Sequence, residues 1–462
     1  MQPAETENFE ETLLTLLNEG KVGEVVELLE EMPTVEVADF LGALPEEQAI
    51  VLLKKIPADK QGFVFTSFEI DKQLDLLQHF SARELARLFS YMQSDDRVDL
   101  FQAMEIEEQS TLLPFLEKRV RENVIQLSSY PEDTAGGSMS SDFATIITQM
   151  TVKEAIEQVR RDAPKKETIY YIYVVDEDRH LKGFVSLKDL ILADPDETIE
   201  NIYHEDIVSV ATMDDQETVA EIISKYDLIA VPVVNRHNQL VGIVTHDDAI
   251  DIIREEETED VHKMSGMEAL EEPYITATLT EMIKKRAGWL IVLFLGGSLT
   301  ATAMGFYEDQ LAQLVVLALF IPMIISSGGN SGSQASTLVI RALALNEISL
   351  KDWWLIVRKE FMVGLLLGLI LGTVGVVRIS VAAQFSDGYG EHWFLLSLAV
   401  GLSLLFVVLW GTLIGSFFPL LLKRLGFDPA VSSAPFIATL ADVTGLVIYF
   451  SVSIFLLRDF IQ

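Results

Sequence analysis

One carboxylate stands in an apolar stretch near the C-terminus: Asp442, in FIATLADVTGLVIYF. An ionised side chain near the middle of a membrane span costs about 2.5–3.5 kcal/mol, so Asp442 is expected to face protein or water rather than lipid. A buried, protonated or hydrogen-bonded Asp is one reading; a cation ligand in a pore is the preferred one. Upstream lies SSGGNSGSQAS (326–336), after Pro322. Its small residues let helices approach closely. Its amide side chains and carbonyls also suit a wet cavity, where irregular backbone is tolerated at membrane depth.

Other carboxylates gather upstream. SDDRVDL places Asp95 and Asp99 at i, i+4, on one face of a helix. They read either as a solvated rim or as a divalent-cation site shared with another domain. A second concentration holds Asp215, Glu217, Asp227, Asp247, Asp248 and Asp251, then EEETED (255–260), whose plain reading is a solvated acidic linker. The 7 histidines are scattered and the chain has no cysteine. Carboxylates without these softer ligands suit magnesium or calcium rather than zinc or copper. The lack of cysteine also excludes disulfides, iron–sulfur clusters and thiol nucleophiles.

Charge divides the chain. Its 462 residues include 34 basic and 70 acidic side chains, a formal charge of -36. Residues 1–286 carry 26 basic and 60 acidic groups, against 8 and 10 in residues 287–462. An acidic polar half is thus fused to an apolar one. Nucleic acid is a poor partner for so negative a surface, and divalent cations are natural ones. The opening MQPAETENFEETLL lacks the basic and apolar regions of a secretory signal, so the acidic half is expected in the cytoplasm. Nothing pairs a nucleophile with a base or forms a phosphate-cradling loop, so an enzyme is not expected.

The elements that would position these groups are legible from periodicity. Apolar pairs recur every 12 residues from Leu16-Leu17 to Leu112-Leu113, and from the second pair onward a further apolar residue follows, such as Met32, Leu44 or Ile56. Units this short cannot be stable alone, so they predict a stacked helical solenoid over 1–127. In the middle, IYVVDEDRHLKGFVSLKDL (172–190) aligns with VPVVNRHNQLVGIVTHDDA (231–249) at an offset of 59. Each copy reads as helix, strand, turn, strand, helix. The repeat resembles the CBS domain, through Gly183, Ser186 and Asp189 in the first copy and Gly242, Thr245 and Asp248 in the second. That resemblance implies a possible adenine-nucleotide site, with the hydroxyl beside phosphate and the carboxylate on ribose.

Hydropathy gives five spans, near 287–307, 311–345, 355–379, 393–422 and 431–457. Lys284, Lys285, Arg286, Arg341, Lys351, Arg358, Lys359, Lys423 and Arg424 fall on one side, and Arg378 and Arg458 on the other. This bias predicts a cytoplasmic N-terminus and an outer C-terminus in the cytoplasmic membrane.

Taken together, the order of parts and the stretches PMIISSGGNSGSQAS (322–336) and FDPAVSSAPFIATLADVTG (427–445) resemble the MgtE magnesium channels. The expected fold is a multidomain membrane protein: an all-α solenoid (1–127), a tandem α/β CBS pair (128–254, copies at about 138–200 and 201–254), a connecting helix (255–283) and a five-helix transmembrane domain (284–462). The resemblance implies a homodimer in the bilayer with the ion path between subunits, where Asp442, carbonyls near Ala441 and polar groups near Asn330 hold hydrated Mg2+. It also implies cytoplasmic magnesium sensing by Asp95, Asp99, Asp215, Glu217, Asp227, Asp248, Asp251, Glu256, Glu259, Asp260 and Asp428; ATP as a ligand is implied by the CBS resemblance alone, and many CBS pairs bind nothing. The Val64–Ser67 stretch offers no carboxylate where the family carries an upstream ligand. Two rivals remain at this point: a proton- or sodium-coupled divalent-cation carrier on the same scaffold, and a membrane-anchored nucleotide sensor.

Overall fold

The computed structural model describes residues 3–270, 274–275, 277–308, 315–385 and 392–458. They form two compact units, Met1–Ile253 and Arg254–Gln462.

The first unit begins with short helices, from α1 (Pro3–Asn18) through α2 (Val22–Glu31), α3 (Thr34–Gly42), α4 (Glu46–Leu53), α5 (Ala58–Thr66), α6 (Ile70–Leu77), α7 (Ala82–Phe89), α8 (Ser94–Ala103) and α9 (Ile106–Leu112) to α10 (Lys118–Leu127). The twelve-residue repeat explains them. The second member of seven of the nine apolar pairs (Leu29, Leu41, Leu53, Phe65, Leu77, Phe89, Phe101) is buried in one continuous core, and those of the first and last pairs, Leu17 and Leu113, are partly buried against it. The following apolar residues, Met32, Leu44, Ile56, Phe68, Met92 and Met104, close the gaps between helices. Pro33, Pro45 and Pro57 immediately precede α3, α4 and α5, where a fixed φ suits helix entry. Lys60 on α5 caps the end of α2, its Nζ donating to the carbonyls of Leu29, Glu30 and Met32. A cation there also complements the helix dipole.

Two copies of one α/β unit follow. Strands β1 (Thr145–Ile147), β2 (Tyr171–Val175) and β3 (Leu181–Ser186) form a sheet in that order, with β1 parallel and β3 antiparallel to β2. Strands β4 (Val210–Ala211), β5 (Ala230–Val234) and β6 (Leu240–Thr245) repeat the arrangement. The sequence offset is kept in the register: Val174 pairs with Gly183, and Val233 with Gly242. Helices α11 (Val152–Asp162) and α12 (Leu187–Leu192) belong to the first copy; α13 (Gln216–Tyr226) and α14 (His246–Met264) are their counterparts.

The expected connecting helix over 255–283 takes a different form. Helix α14 starts at His246, within the second copy, and ends at Met264. The chain then turns at Gly266, whose φ is +74, and the next helix starts at Leu279 behind a Thr278 cap. A side chain at Gly266 would be strained by that φ and would strike the Trp289 indole, so periodicity alone could not place the break.

Among the described residues, five helices are long and apolar enough to cross a membrane: Leu279–Phe306, Val315–Ala344, Leu350–Ala382, Trp393–Arg424 and Ala434–Leu457. The 326–336 stretch is regular helix, within Ile321–Ala344, so its carbonyls serve the helix and its glycines serve packing. A methyl group at Gly411 of the fourth span would lie 2.4 Å from the Gly328 carbonyl oxygen, and one at Gly415 would lie 2.1 Å from that of Gly332. The third span meets the fourth as closely, with Gly368 against Leu405 and Gly372 against Gly401. Lipid supplies no hydrophobic drive between helices, so such backbone approach is what holds them.

Gly415→Ala should therefore lower the thermal midpoint of the detergent-solubilised chain, by overpacking worth about 1–3 kcal/mol. Gly288→Ala should leave it unchanged, because a methyl group there meets nothing within 4 Å. Equal midpoints for the two variants would contradict the packing account.

Candidate metal centre and pore carboxylate

Asp442 is half-buried on the fifth span, and its Oδ1 lies 3.5 Å from where a Cβ on Gly329 of the second span would stand. That distance is ordinary van der Waals contact; the tighter neighbour of such a Cβ would be Ala438 of the fifth span, at 3.3 Å. Asn330, the residue after Gly329, is exposed, its Nδ2 donating to Ser326 Oγ at 3.3 Å. Ala441 is buried, its methyl facing Gly328. The two signature stretches meet at the other end of this contact. Ser333 donates to the Ala434 carbonyl and Ser336 to that of Ser432, each at 3.0 Å, while Trp289 Nε1 donates to Ser433 Oγ at 3.2 Å. The fifth span is thereby fixed at its N-terminus by serines of the second.

In the first unit, Asp95, Glu167 and Asp248 each offer a carboxylate oxygen, and the three oxygens lie within 4.8 Å of one another. Opposite oxygens around magnesium are about 4.2 Å apart and around calcium about 5 Å, so the set matches a hard cation. Asp95 Oδ1 and Glu167 Oε2 are buried and accept no hydrogen bond among the described residues. Asp248 Oδ2 is held by the Thr245 hydroxyl at 2.6 Å and the Thr245 backbone N–H at 3.0 Å.

Burial, and then the neighbouring negative charges, hold the Asp95 carboxyl well above its ordinary range and raise Asp248 too. Burial likewise pushes Asp96 up to about 6 and Glu167 up to about 8, against the lowering pull of hydrogen bonds from Thr66 and Ser140 respectively. Glu167 was not singled out by sequence. It precedes a buried strand, far along the chain from either partner, and no spacing announces it. Asp99, four residues after Asp95, is exposed and lies outside this triad.

The remaining acidic candidates lie outside this triad. Asp215 caps the start of α13, accepting from the Glu217 N–H at 2.9 Å, while Asp227 ends that helix in a left-handed conformation with φ 51. Asp251 is exposed on α14, and Glu256 half-buried. Farther along, Lys263 Nζ lies 2.5 Å from Glu259 and 2.8 Å from Asp428. Burial would lower the Lys263 pKa, but those two hydrogen-bonded carboxylates outweigh it and hold it above its usual value. Asp260 is raised, first by burial and then by Asp428. A lysine thus already supplies positive charge where a cation was expected; its i, i+4 spacing from Glu259 is readable in the sequence, whereas its meeting with Asp428 is not.

Comparison with known proteins decides the family. The family model described as a divalent cation transporter matches residues 321–452, that of the MgtE intracellular N domain matches 32–133, and that of the CBS domain matches 135–196 and 199–255. The chain is 43% identical to the magnesium transporter MgtE of Thermus thermophilus over 343 residues, 74% of each chain. It is 32% identical to that of Bacillus subtilis over 445 residues, 96% of each. The chain belongs to the MgtE family. Its soluble part is also similar to a solved cytosolic domain of the Mg2+ channel MgtE in complex with ATP, at 36% identity and TM-score 0.51, covering 53% of this chain and 99% of that one. The soluble part of a magnesium transporter gives 34% identity and TM-score 0.52, covering 54% and 99%.

Within this MgtE chain, the CBS motif residues already have structural employment. Ser186 Oγ donates to Asp189 Oδ2 at 2.6 Å in a capping box that starts α12, and His204 Nε2 lies 3.2 Å from the same oxygen. Gly183 admits the backbone of His204, and Gly242 admits Met139. The two copies differ in what surrounds the carboxylate: Asp248 is crowded by Asp95 and Glu167, whereas Asp189 meets His204.

Raised carboxyl groups favour the folded state while protonated. That stability is fully present below the ordinary carboxylate range near 4 and is lost as pH rises through the folded values of about 6 for Asp96 and about 8 for Glu167. In chelator, the first thermal transition of the intact protein should therefore fall between pH 5 and pH 8, and saturating magnesium should remove most of the fall. A flat profile in chelator would contradict the crowding of these carboxylates.

Proposed function

We propose that this protein is a magnesium channel of the cytoplasmic membrane, conducting as a homodimer with one Asp442 from each subunit on the ion path. Cytoplasmic magnesium closes it. The observation that carries the reading is Asp442, a half-buried carboxylate inside an apolar span, within van der Waals reach of Gly329, which exposed Asn330 follows in the chain. An anchor helix needs neither group. Magnesium gives up its water reluctantly, so paired carboxylates would hold the hydrated ion through its water shell. Asn330 and carbonyls near Ala441 would add polar contacts. The N-terminus is then cytoplasmic and the C-terminus outside, and the chain divides functionally into solenoid, CBS pair, connecting segment and pore domain.

Closure is assigned to the acidic soluble positions: Asp95, Asp99, Asp215, Glu217, Asp227, Asp248, Asp251, Glu256, Glu259, Asp260 and Asp428. Without divalent cation their charges repel. An ion that binds the closed form more tightly draws facing carboxylates together and shifts the population, since equal affinity for both forms would shift nothing. Helix α14 is suited to carry this effect, because Asp248 and Asp251 lie in its first turns while Glu259 and Lys263 lie near its end. ATP on the Ser186–Asp189 side of the CBS pair is part of this reading, supported by the ATP complex of the related cytosolic domain.

Asp442→Asn, which keeps shape and removes charge, should abolish magnesium uptake by proteoliposomes while the chain remains folded; uptake at the parental rate would remove the pore assignment. Neutralising Asp251, Glu256 and Glu259 together should leave conduction intact but raise the internal magnesium needed for closure. Currents that still shut at the parental magnesium concentration would refute closure through these positions.

A further inference from the structure

We propose that Glu167, from the first CBS copy, completes a regulatory divalent-cation site with Asp95 of the solenoid and Asp248 of the second copy, so that one ion ties three parts of the soluble half together. The inference rests on the reading that this half binds magnesium, and it adds a ligand from a segment that neither motif nor comparison assigns.

The three oxygens lie within 4.8 Å of one another and come from three unrelated places: the first turn of α8, the segment entering β2, and the first turn of α14. An acidic cluster alone would be unremarkable. Here, however, Asp95 is only 9% exposed, and its Oδ1 accepts no hydrogen bond among the described residues. Glu167 Oε2 is buried in the same state. Buried acceptors are normally satisfied, so two such oxygens beside a third carboxylate mark the place of a cation.

The surroundings hold these ligands without neutralising them. Glu167 is fixed by its backbone N–H, which donates to the Asp142 carbonyl at 2.9 Å. Asp248 spends one oxygen on Thr245. Ser94, next to Asp95, accepts from the Ser141 N–H at 2.7 Å and lies 3.0 Å from Ser140 Oγ, which joins α8 to the segment leading into the first copy. Arg97, two residues after Asp95, turns its guanidinium to the Met92 carbonyl and Asp142. An all-oxygen set of three carboxylates selects magnesium, calcium or manganese over softer metals.

The test uses the full chain in detergent, with Glu167→Gln, Glu167→Asp and, as a surface control, Glu177→Gln. Manganese bound per chain is counted by electron paramagnetic resonance, and magnesium-dependent protection from trypsin is titrated. Glu167→Gln should lose one tightly held manganese and need at least about tenfold more magnesium for half-protection. Glu167→Asp, which keeps the charge but shortens the reach, should weaken binding less, and Glu177→Gln should behave as the parent. Should the Gln variant fail to fold, the Asp variant decides on the same two readouts. A parental manganese count and magnesium midpoint in the Glu167 variants would remove Glu167 from the site while leaving magnesium sensing in place. An unmodified chain that shows no magnesium-dependent protection at all would overturn the sensing reading itself, and this inference with it.

Discussion

Carboxylates brought together without enough positive charge are the constraint around which the soluble half is arranged. Asp95, Asp96, Glu167 and Asp248 all have their ionised forms disfavoured by burial, and each adds to the discomfort of its neighbours. A protein selected only for stability would replace such a cluster with apolar side chains. Keeping it makes the folded state sensitive to whatever cation is available. The same logic recurs in the second unit with a different answer, for Glu259 and Asp428 already share the ammonium group of Lys263. One acidic site is left open and the other is bridged from within.

The membrane half applies the opposite economy. Charge is sparse, with 8 basic and 10 acidic groups over residues 287–462, and the half-buried Asp442 lies within ordinary van der Waals reach of Gly329 on the second span. Positioning that carboxylate falls to small polar groups: serines of the second span hold the entry of the fifth, and Trp289 of the first span holds Ser433. Both signature stretches therefore describe one contact seen from its two sides.

Much of this was legible in the sequence wherever a local period carried it. The twelve-residue repeat placed the buried faces of the solenoid, and the offset of 59 reappears unchanged in strand register. The five apolar helices followed from hydropathy. Features depending on distant residues were not legible. Glu167 joins Asp95 and Asp248 only through tertiary folding, and Lys263 finds Asp428 far along the chain. The stretch 326–336 allowed two readings because glycine serves equally in irregular backbone and in tight helix packing. The stretch is regular helix with Gly328 and Gly332 lying against Gly411 and Gly415, and no sequence window contains that proximity. The end of α14 was not placed by periodicity for a related reason: it is set at Gly266, a left-handed glycine beside Trp289.

The close approach of the third and fourth spans has a consequence for how the membrane half can deform. Backbones meeting at Gly368, Gly372 and Gly401 leave no side-chain layer that could slide or re-pack, so this pair behaves as one stiff body. The first span is packed more loosely, with none of its most apolar window buried within the chain and nothing close to Gly288, Gly297 or Gly305, and it holds to the fifth span at Trp289, Gly296 and Tyr307. Compliance in the bilayer is thus unevenly distributed: any tilt of the first span must be carried through a few discrete contacts with the fifth, while the third and fourth move as one.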